Sequence, residues 1–342
     1  MHHNRPCKKV STKISFTQNS LQSHYAIKLF IKITIPNRHC YTLLRTGFPE
    51  AVMIKFLTLL LLLLTQQTTA ETVINYTPLE DPSDKRLEYP LALIKLAMDK
   101  TEASYGSYHL KTIPRPLSLS RSMFELKRNT YSNYFILGGA NIESMISNDD
   151  IESIDFPADQ GLLSFRICFV NPNIAQEISN TTTLDELKKY TIGQGSNWPD
   201  VLILRANGFH VEEIGVYTSL FKMVSAGRID LFCRGISELR NELFAYQALF
   251  NLTYDKSFAF KYDMPYKFYF NKESKTVISR LREGLKIAKS DGSLEKLFFQ
   301  FNKINIDFAN LKKRKIFKLE SPYSKDYSET YRSYLINPIN LN

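Results

Sequence analysis

The segment from Thr191 to Gly235 constrains this chain more than any other. Strand, glycine-bearing turn, helix, strand, helix and strand follow one another there without a gap. An extended run, Tyr190 to Gln194, enters the turn Gly195-Ser196-Asn197. A helix then opens at Trp198-Pro199-Asp200, with proline in the first turn where its missing N–H is harmless. The helix closes at Asn207-Gly208, a strand spans His210 to Ile214, and a second helix runs from Thr218 to Ala226 with Gly227 as its left-handed cap. Ile229 to Cys233 is a short apolar strand that delivers Arg234-Gly235 to its carboxyl end.

Ligands of open α/β sheets sit outside the carboxyl ends of the strands. The free N–H groups and positive dipole end at Trp198 make Gln194, Gly195, Ser196, Asn197 and Trp198 candidates for holding a carboxylate or phosphate. Trp198, the only tryptophan, either stacks on a ligand or fills the space between helix and sheet. Arg234 is read as an anion clamp rather than one half of a surface ion pair, with Gly235 allowing close backbone approach. A clamp devoted to ligand predicts that Arg234→Ala abolishes binding of a small anionic or zwitterionic molecule and leaves the ligand-free melting temperature almost unchanged. Tyr76 and Arg86, near the first turn, are candidates to complete the cleft.

With 342 residues, 44% of them apolar, the chain can bury one large core or two modest ones. A net charge of +10 invites a nucleic-acid role, but residues 1–70 hold nine Lys/Arg and one acid, Glu50, which leaves the remainder at only +2. The basicity belongs to the leader, and no nucleic-acid partner is expected. Within it, Met53-Ile54-Lys55, the leucine run Leu59 to Leu64 and Thr68-Thr69-Ala70 form a secretory signal peptide, too short to span a bilayer. Residues 53–70 are therefore expected to be removed after Ala70, with 1–52 a mis-assigned upstream extension; the alternative is a long basic extension ahead of an internal signal anchor. Cleavage places the chain in the periplasm with no stable membrane insertion. Cys168 and Cys233 then stay behind, either bridged or as two buried thiols. His109 and His210 alone cannot build a histidine metal site, so neither metal nor cofactor is expected.

Taken in order, Glu71 to Pro78 reads as a strand and turn, Tyr89 to Lys100 as a one-sided helix, Tyr108 to Ile113 and Tyr134 to Leu137 as strands, and Ser120 to Asn129 as the helix between them. Ile154 to Val170 is extended and reads as a crossover into a second lobe, where Thr183 to Glu186 is a capping box and a helix runs from Ser237 to about Tyr246. Leu252 to Phe270 is aromatic and extended, suiting a return crossover. Helices follow over Lys275 to Ser290 and from Ser293 through Phe301. Beyond residue 310, Lys312-Lys313-Arg314-Lys315 reads as a solvated charge run and the Tyr/Ser-rich tail as at most partly ordered.

The runs Gly193 to Asp200 and Tyr217 to Gly235, with Ser290-Asp291-Gly292-Ser293-Leu294, resemble the extracytoplasmic solute-binding proteins of the periplasmic type 2 class, which includes amino-acid receptors of ABC importers. The likeness spans roughly Val73 to Phe301. It implies an α/β fold of two Rossmann-like lobes joined by two crossover strands, the first lobe discontinuous (71–167 and 257–310) around a second at 168–256, with 311–342 as a tail. It further implies a receptor that grips a small anionic or zwitterionic, amino-acid-like ligand by hinge closure for an inner-membrane ABC permease, with no catalytic residues. The first-lobe arginine that amino-acid receptors of this class place after the third strand has no counterpart, since none lies between Arg128 and Arg166. A periplasmic ligand sensor, or a dehydratase of the cyclohexadienyl type using Glu88, Glu143 or Asp200, is the alternative on the same fold.

Overall fold

The computed structural model describes residues 34–35, 38–39, 71–79, 85–139, 142, 150–324 and 327–341. It divides into Met1–Thr68 and Thr69–Asn342. In the first unit, Thr34–Ile35 pairs antiparallel with Arg38–His39. The expected signal peptide, its cleavage point, Cys7 and Cys40 lie outside the described residues, as does Glu143.

In the second unit the strands are β1 (Thr72–Tyr76), β2 (Tyr108–Thr112), β3 (Tyr134–Gly139), β4 (Ile151–Ser153), β5 (Phe165–Val170), β6 (Thr191–Gly195), β7 (His210–Ile214), β8 (Leu231–Gly235), β9 (Thr253–Tyr254), β10 (Phe258–Lys261), β11 (Tyr266–Asn271) and β12 (Lys315–Lys318). The helices are α1 (Glu88–Lys100), α2 (Glu102–Tyr105), α3 (Leu119–Lys127), α4 (Ala175–Ser179), α5 (Leu184–Leu187), α6 (Pro199–Ala206), α7 (Tyr217–Ser225), α8 (Ile236–Tyr246), α9 (Lys275–Ser290), α10 (Ser293–Ala309) and α11 (Glu329–Arg332). They build two α/β lobes. Lobe 1 is a five-stranded sheet in the order β2-β1-β3-β11-β4; lobe 2 is a seven-stranded sheet ordered β12-β10-β5-β8-β6-β7, with β9 paired to β5. In each lobe the strand that comes from a crossing runs antiparallel to its neighbour: β11 against β3 in lobe 1, β5 against β8 in lobe 2.

The chain crosses from lobe 1 to lobe 2 through 154–164 and returns through 262–265. These crossings are shorter than the segments the sequence suggests, Ile154 to Val170 and Leu252 to Phe270, and lie within them, because all of β5 and β10 pair within the lobe 2 sheet. A third crossing is a correction to the sequence reading. After α10 the chain turns at Asn310 and lays β12 parallel to β10, with Phe317 opposite Phe260. The reason is alternation: Phe317 and Leu319 bury one face while Ile316 packs on the other, and Arg314 is not solvated but 9% exposed. Its Nε donates to the Ala309 carbonyl (2.6 Å) and its Nη1 to Asp255 O (2.6 Å), closing the carboxyl end of α10.

The largest core is continuous between the lobes. Ile74, Leu93 and Phe268 of lobe 1 join Phe169, Phe221 and Leu239 of lobe 2, with α8 packed on α10. Within lobe 2, Cys168 and Cys233 stand opposite each other on β5 and β8 and are joined as a disulfide. The bridge closes a loop of 65 residues, and replacing both cysteines by serine is expected to lower stability by about 2–4 kcal/mol, checked by urea unfolding.

Candidate ligand cleft

Strand carboxyl ends from both lobes meet at one cavity of about 660 Å³. Lobe 1 contributes Tyr76 at the end of β1, Thr77 just after it, and Leu137 to Gly139 at the end of β3. Lobe 2 contributes Asn197 and Trp198 after β6, Tyr217 after β7 and Arg234 on β8. Asp159 and Arg166, from the first crossing and β5, and Asn302 and Asn305, from α10, complete the lining. The walls are aromatic: Tyr76 stacks on Phe135 at 6.2 Å, and Trp198 lies 6.2 Å from Tyr217.

Trp198 reaches this position because Gly195 has no side chain; a Cβ there would stand 2.2 Å from the indole. Asn197 makes the turn at φ 65°, a left-handed conformation that Asn tolerates. Trp198 is the N-cap of α6 and makes no side-chain capping bond.

The floor is an internal ion network. Arg234, 3% exposed, lies with its guanidinium over the Trp198 ring at 4.8 Å. Its Nε donates to both Glu242 oxygens (3.0 and 2.8 Å), and its Nη2 donates to Glu238 and Glu242 at 2.7 Å each. Arg166 sits 3.0 Å from Asp200 and 3.4 Å from Glu238. Tyr262 Oη donates to Asp200 (2.5 Å) and Tyr217 Oη to Glu242 (2.6 Å). Burial opposes charge on both guanidiniums, but the surrounding carboxylates outweigh it and hold both above the ordinary arginine value. Burial likewise opposes charge on Glu238, yet Arg234, Arg166 and Arg86 bring its carboxyl below the usual range. Arg86 reaches over from lobe 1, its guanidinium 4.9 Å from the Tyr217 ring centre.

Of the residues singled out from sequence, Tyr76, Arg86, Asn197, Trp198 and Arg234 line this cavity. Gln194, Gly195 and Ser196 do not line it. Gln194 is fully buried between β6 and β8, its Nε2 donating to Cys233 O at 3.2 Å, and Ser196 is exposed on the turn. The start of α6 already has a carboxylate in its first turn, Asp200, and Asn197 N–H donates to Glu213 at 3.1 Å. Arg234 therefore differs from an anion clamp awaiting ligand, because its Nε and Nη2 donors point at its own carboxylates. The residues that sequence reasoning passed over had a signal. Arg234, Glu238 and Glu242 recur every four residues into a helix, and Arg166 is a lone charge in an otherwise apolar strand.

Removing the guanidinium leaves buried Glu242 with no cation, only the Tyr217 hydroxyl, and Glu238 with Arg166 alone at 3.4 Å, so Arg234→Ala is expected to destabilise the ligand-free protein by about 3–5 kcal/mol in a denaturant titration. This reverses the expectation of an unchanged melting temperature.

Asp159 behaves differently. Its Oδ2 accepts the Leu163 N–H at 2.6 Å, while Oδ1 is buried without a protein partner. Burial, only partly offset by backbone N–H groups, raises its carboxyl from 3.8 to about 6. Because the folded value lies above the unfolded one, the folded state holds the proton more tightly, and stability falls as pH rises from about 4 to about 6. Asp159→Asn is expected to flatten that slope and to stabilise the protein at pH 7 by about 1–3 kcal/mol, with no gain at pH 4, measured by unfolding at both pH values.

No family model matches the chain, and no curated protein matches it. Solved structures do. The VFT2 domain of Bordetella pertussis BvgS aligns at 13% identity with a TM-score of 0.49, covering 67% of this chain and 92% of that one. A probable amino-acid ABC transporter extracellular-binding protein from Bacillus subtilis aligns at 13% identity and TM-score 0.49, covering 68% and 98%. A putative ABC transporter binding component from Wolinella succinogenes, complexed with lysine, aligns at 14% and 0.47, covering 68% and 95%.

Proposed function

We propose that this chain is an extracytoplasmic solute receptor that encloses one small ammonium-bearing, amino-acid-like molecule between its lobes and hands it to an ABC-type permease. The observation behind this reading is the cavity itself: it lies where strand carboxyl ends of both lobes converge, and it has aromatic walls and buried polar groups. Arg234 Nε and Nη2 and Arg166 Nη1 and Nη2 are already engaged by Glu238, Glu242 and Asp200, which argues against a purely anionic ligand. What the lining leaves over is a buried acceptor, Asp159 Oδ1, a buried donor, Arg166 Nε, and the faces of Tyr76, Trp198 and Tyr217. That set suits a zwitterion, with the ammonium group near carboxylate and π-faces. Hinge motion at the crossings would exclude water from the bound molecule.

Trp198 is the sole tryptophan, so its emission is a direct reporter of the cleft. Thermal-shift screening of amino acids, diamines, dicarboxylates and short peptides is expected to give its largest stabilisation with an ammonium-bearing compound. Titration of that compound should change Trp198 emission without turnover. Trp198→Phe with the same affinity, or dicarboxylates as the only binders, contradicts the assignment; conversion of the hit to product points to an enzyme instead.

A further inference from the structure

Among the described residues, none beyond β12 lines the cleft, yet they touch both of its crossings. Leu319 N–H donates to Lys261 O at 2.9 Å, and Glu320 exchanges two hydrogen bonds with the Asn207 side chain at 2.7 and 3.0 Å, which anchors the segment to lobe 2. Ser321 Oγ then donates to Asp263 O at 2.7 Å on the second crossing. Tyr331, fully buried and stacked on Tyr327 at 4.7 Å, accepts the N–H of Tyr266 at 3.0 Å, where that crossing enters β11.

The same segment also binds the first crossing. Ser328 Oγ donates to Asp155, Ile336 N–H donates to Gln160 O at 3.0 Å, and Tyr334 packs edge-on against Phe156 at 4.8 Å. Gly161, at φ 94°, lets Leu335 come within 3.1 Å of the point where a Cβ would stand. The segment ends on lobe 1, where Lys289 Nζ donates to Ser333 O at 2.8 Å and lies 4.1 Å from the Tyr334 ring centre. The described residues 319–324 and 327–341 are thus bonded to lobe 2, to each crossing and to lobe 1. Rotation about two crossings requires their backbone dihedrals to change independently of what covers them. Here the cover is hydrogen-bonded to both.

We propose that the described residues 319–324 and 327–341 form a strap that couples the two crossings and narrows the range of angles the lobes sample when no ligand is present. This goes beyond the receptor role and does not depend on it, since the effect is expected in empty protein. The test places nitroxide labels on the exposed edge strands of the two lobes, Lys111→Cys on β2 and Glu212→Cys on β7, with Cys7 and Cys40 changed to Ser. Electron–electron distance distributions are compared, without ligand, between the intact strap, a deletion of 320–342, and Tyr331→Phe, which keeps the ring stack and removes the acceptor for Tyr266.

The intact strap is expected to give one narrow distribution and the deletion one at least twice as wide, with amide exchange at Ala158 and Tyr262 at least tenfold faster while protection in β1 and β8 is unchanged. The deletion decides if it folds. If it does not, Tyr331→Phe decides, by widening the distribution and accelerating exchange at Tyr266 tenfold. An unchanged width in the deciding variant overturns the proposal and leaves the receptor reading intact.

Discussion

The buried ion network of Arg166, Arg234, Asp200, Glu238 and Glu242 is the interaction on which the cleft depends. It ties β5, β8, α6 and α8 together at one point, and Tyr262 brings in the second crossing. Desolvating five charges is unfavourable unless each finds a partner and further hydrogen bonds, and here the tyrosine hydroxyls and the Gly235 N–H, 2.9 Å from Glu238, supply them. An apolar cluster of the same volume could be as stable. What the network provides is direction, since each guanidinium plane is fixed by its carboxylates and Arg234 in turn supports the Trp198 ring. The cleft therefore has a floor that is already neutral in large part and a wall that is already placed.

That floor alters what a ligand can gain. A carboxylate entering from solvent would have to compete with Glu238 and Glu242 for donors already held at 2.7 Å, in surroundings where any unpaired charge is unfavourable. An ammonium group meets no such competition. Arg86, arriving from lobe 1 over Tyr217, shows that this part of lobe 2 accepts a cation. The continuous core through α8 and α10 and the strap across both crossings add a dynamic consequence: the lobes meet through packed side chains as well as through the cleft, so their relative motion is restrained along one side.

Much of the fold was legible because local signals agree with one another. Pro199 after Trp198, the capping box at Thr183 and Glu186 and the cap at Gly227 all mark boundaries that the elements respect, give or take a residue. The tail was not legible, because β12 is only four residues long and sits beside a run of lysines, so its alternation is hidden by charge. The cleft was legible in location and not in chemistry. Strand ends point to Trp198 and Arg234, but whether an arginine serves a ligand or a neighbouring glutamate depends on a helix register that becomes meaningful only when Glu238 and Glu242 are known to face inward. Gln194 and Ser196 are neighbours of Trp198 in sequence without lining the cavity: the Gln194 amide is drawn to the Cys233 carbonyl of β8, and Ser196 is exposed on the turn.

Amide hydrogen exchange with and without the compound that most stabilises the protein tests the central claim most directly. Enclosure between two lobes predicts new protection on both sides at once, over 76–79 and 135–139 in lobe 1 and over 197–200 and 217–218 in lobe 2. Protection confined to one lobe, or appearing only outside these four segments, contradicts it.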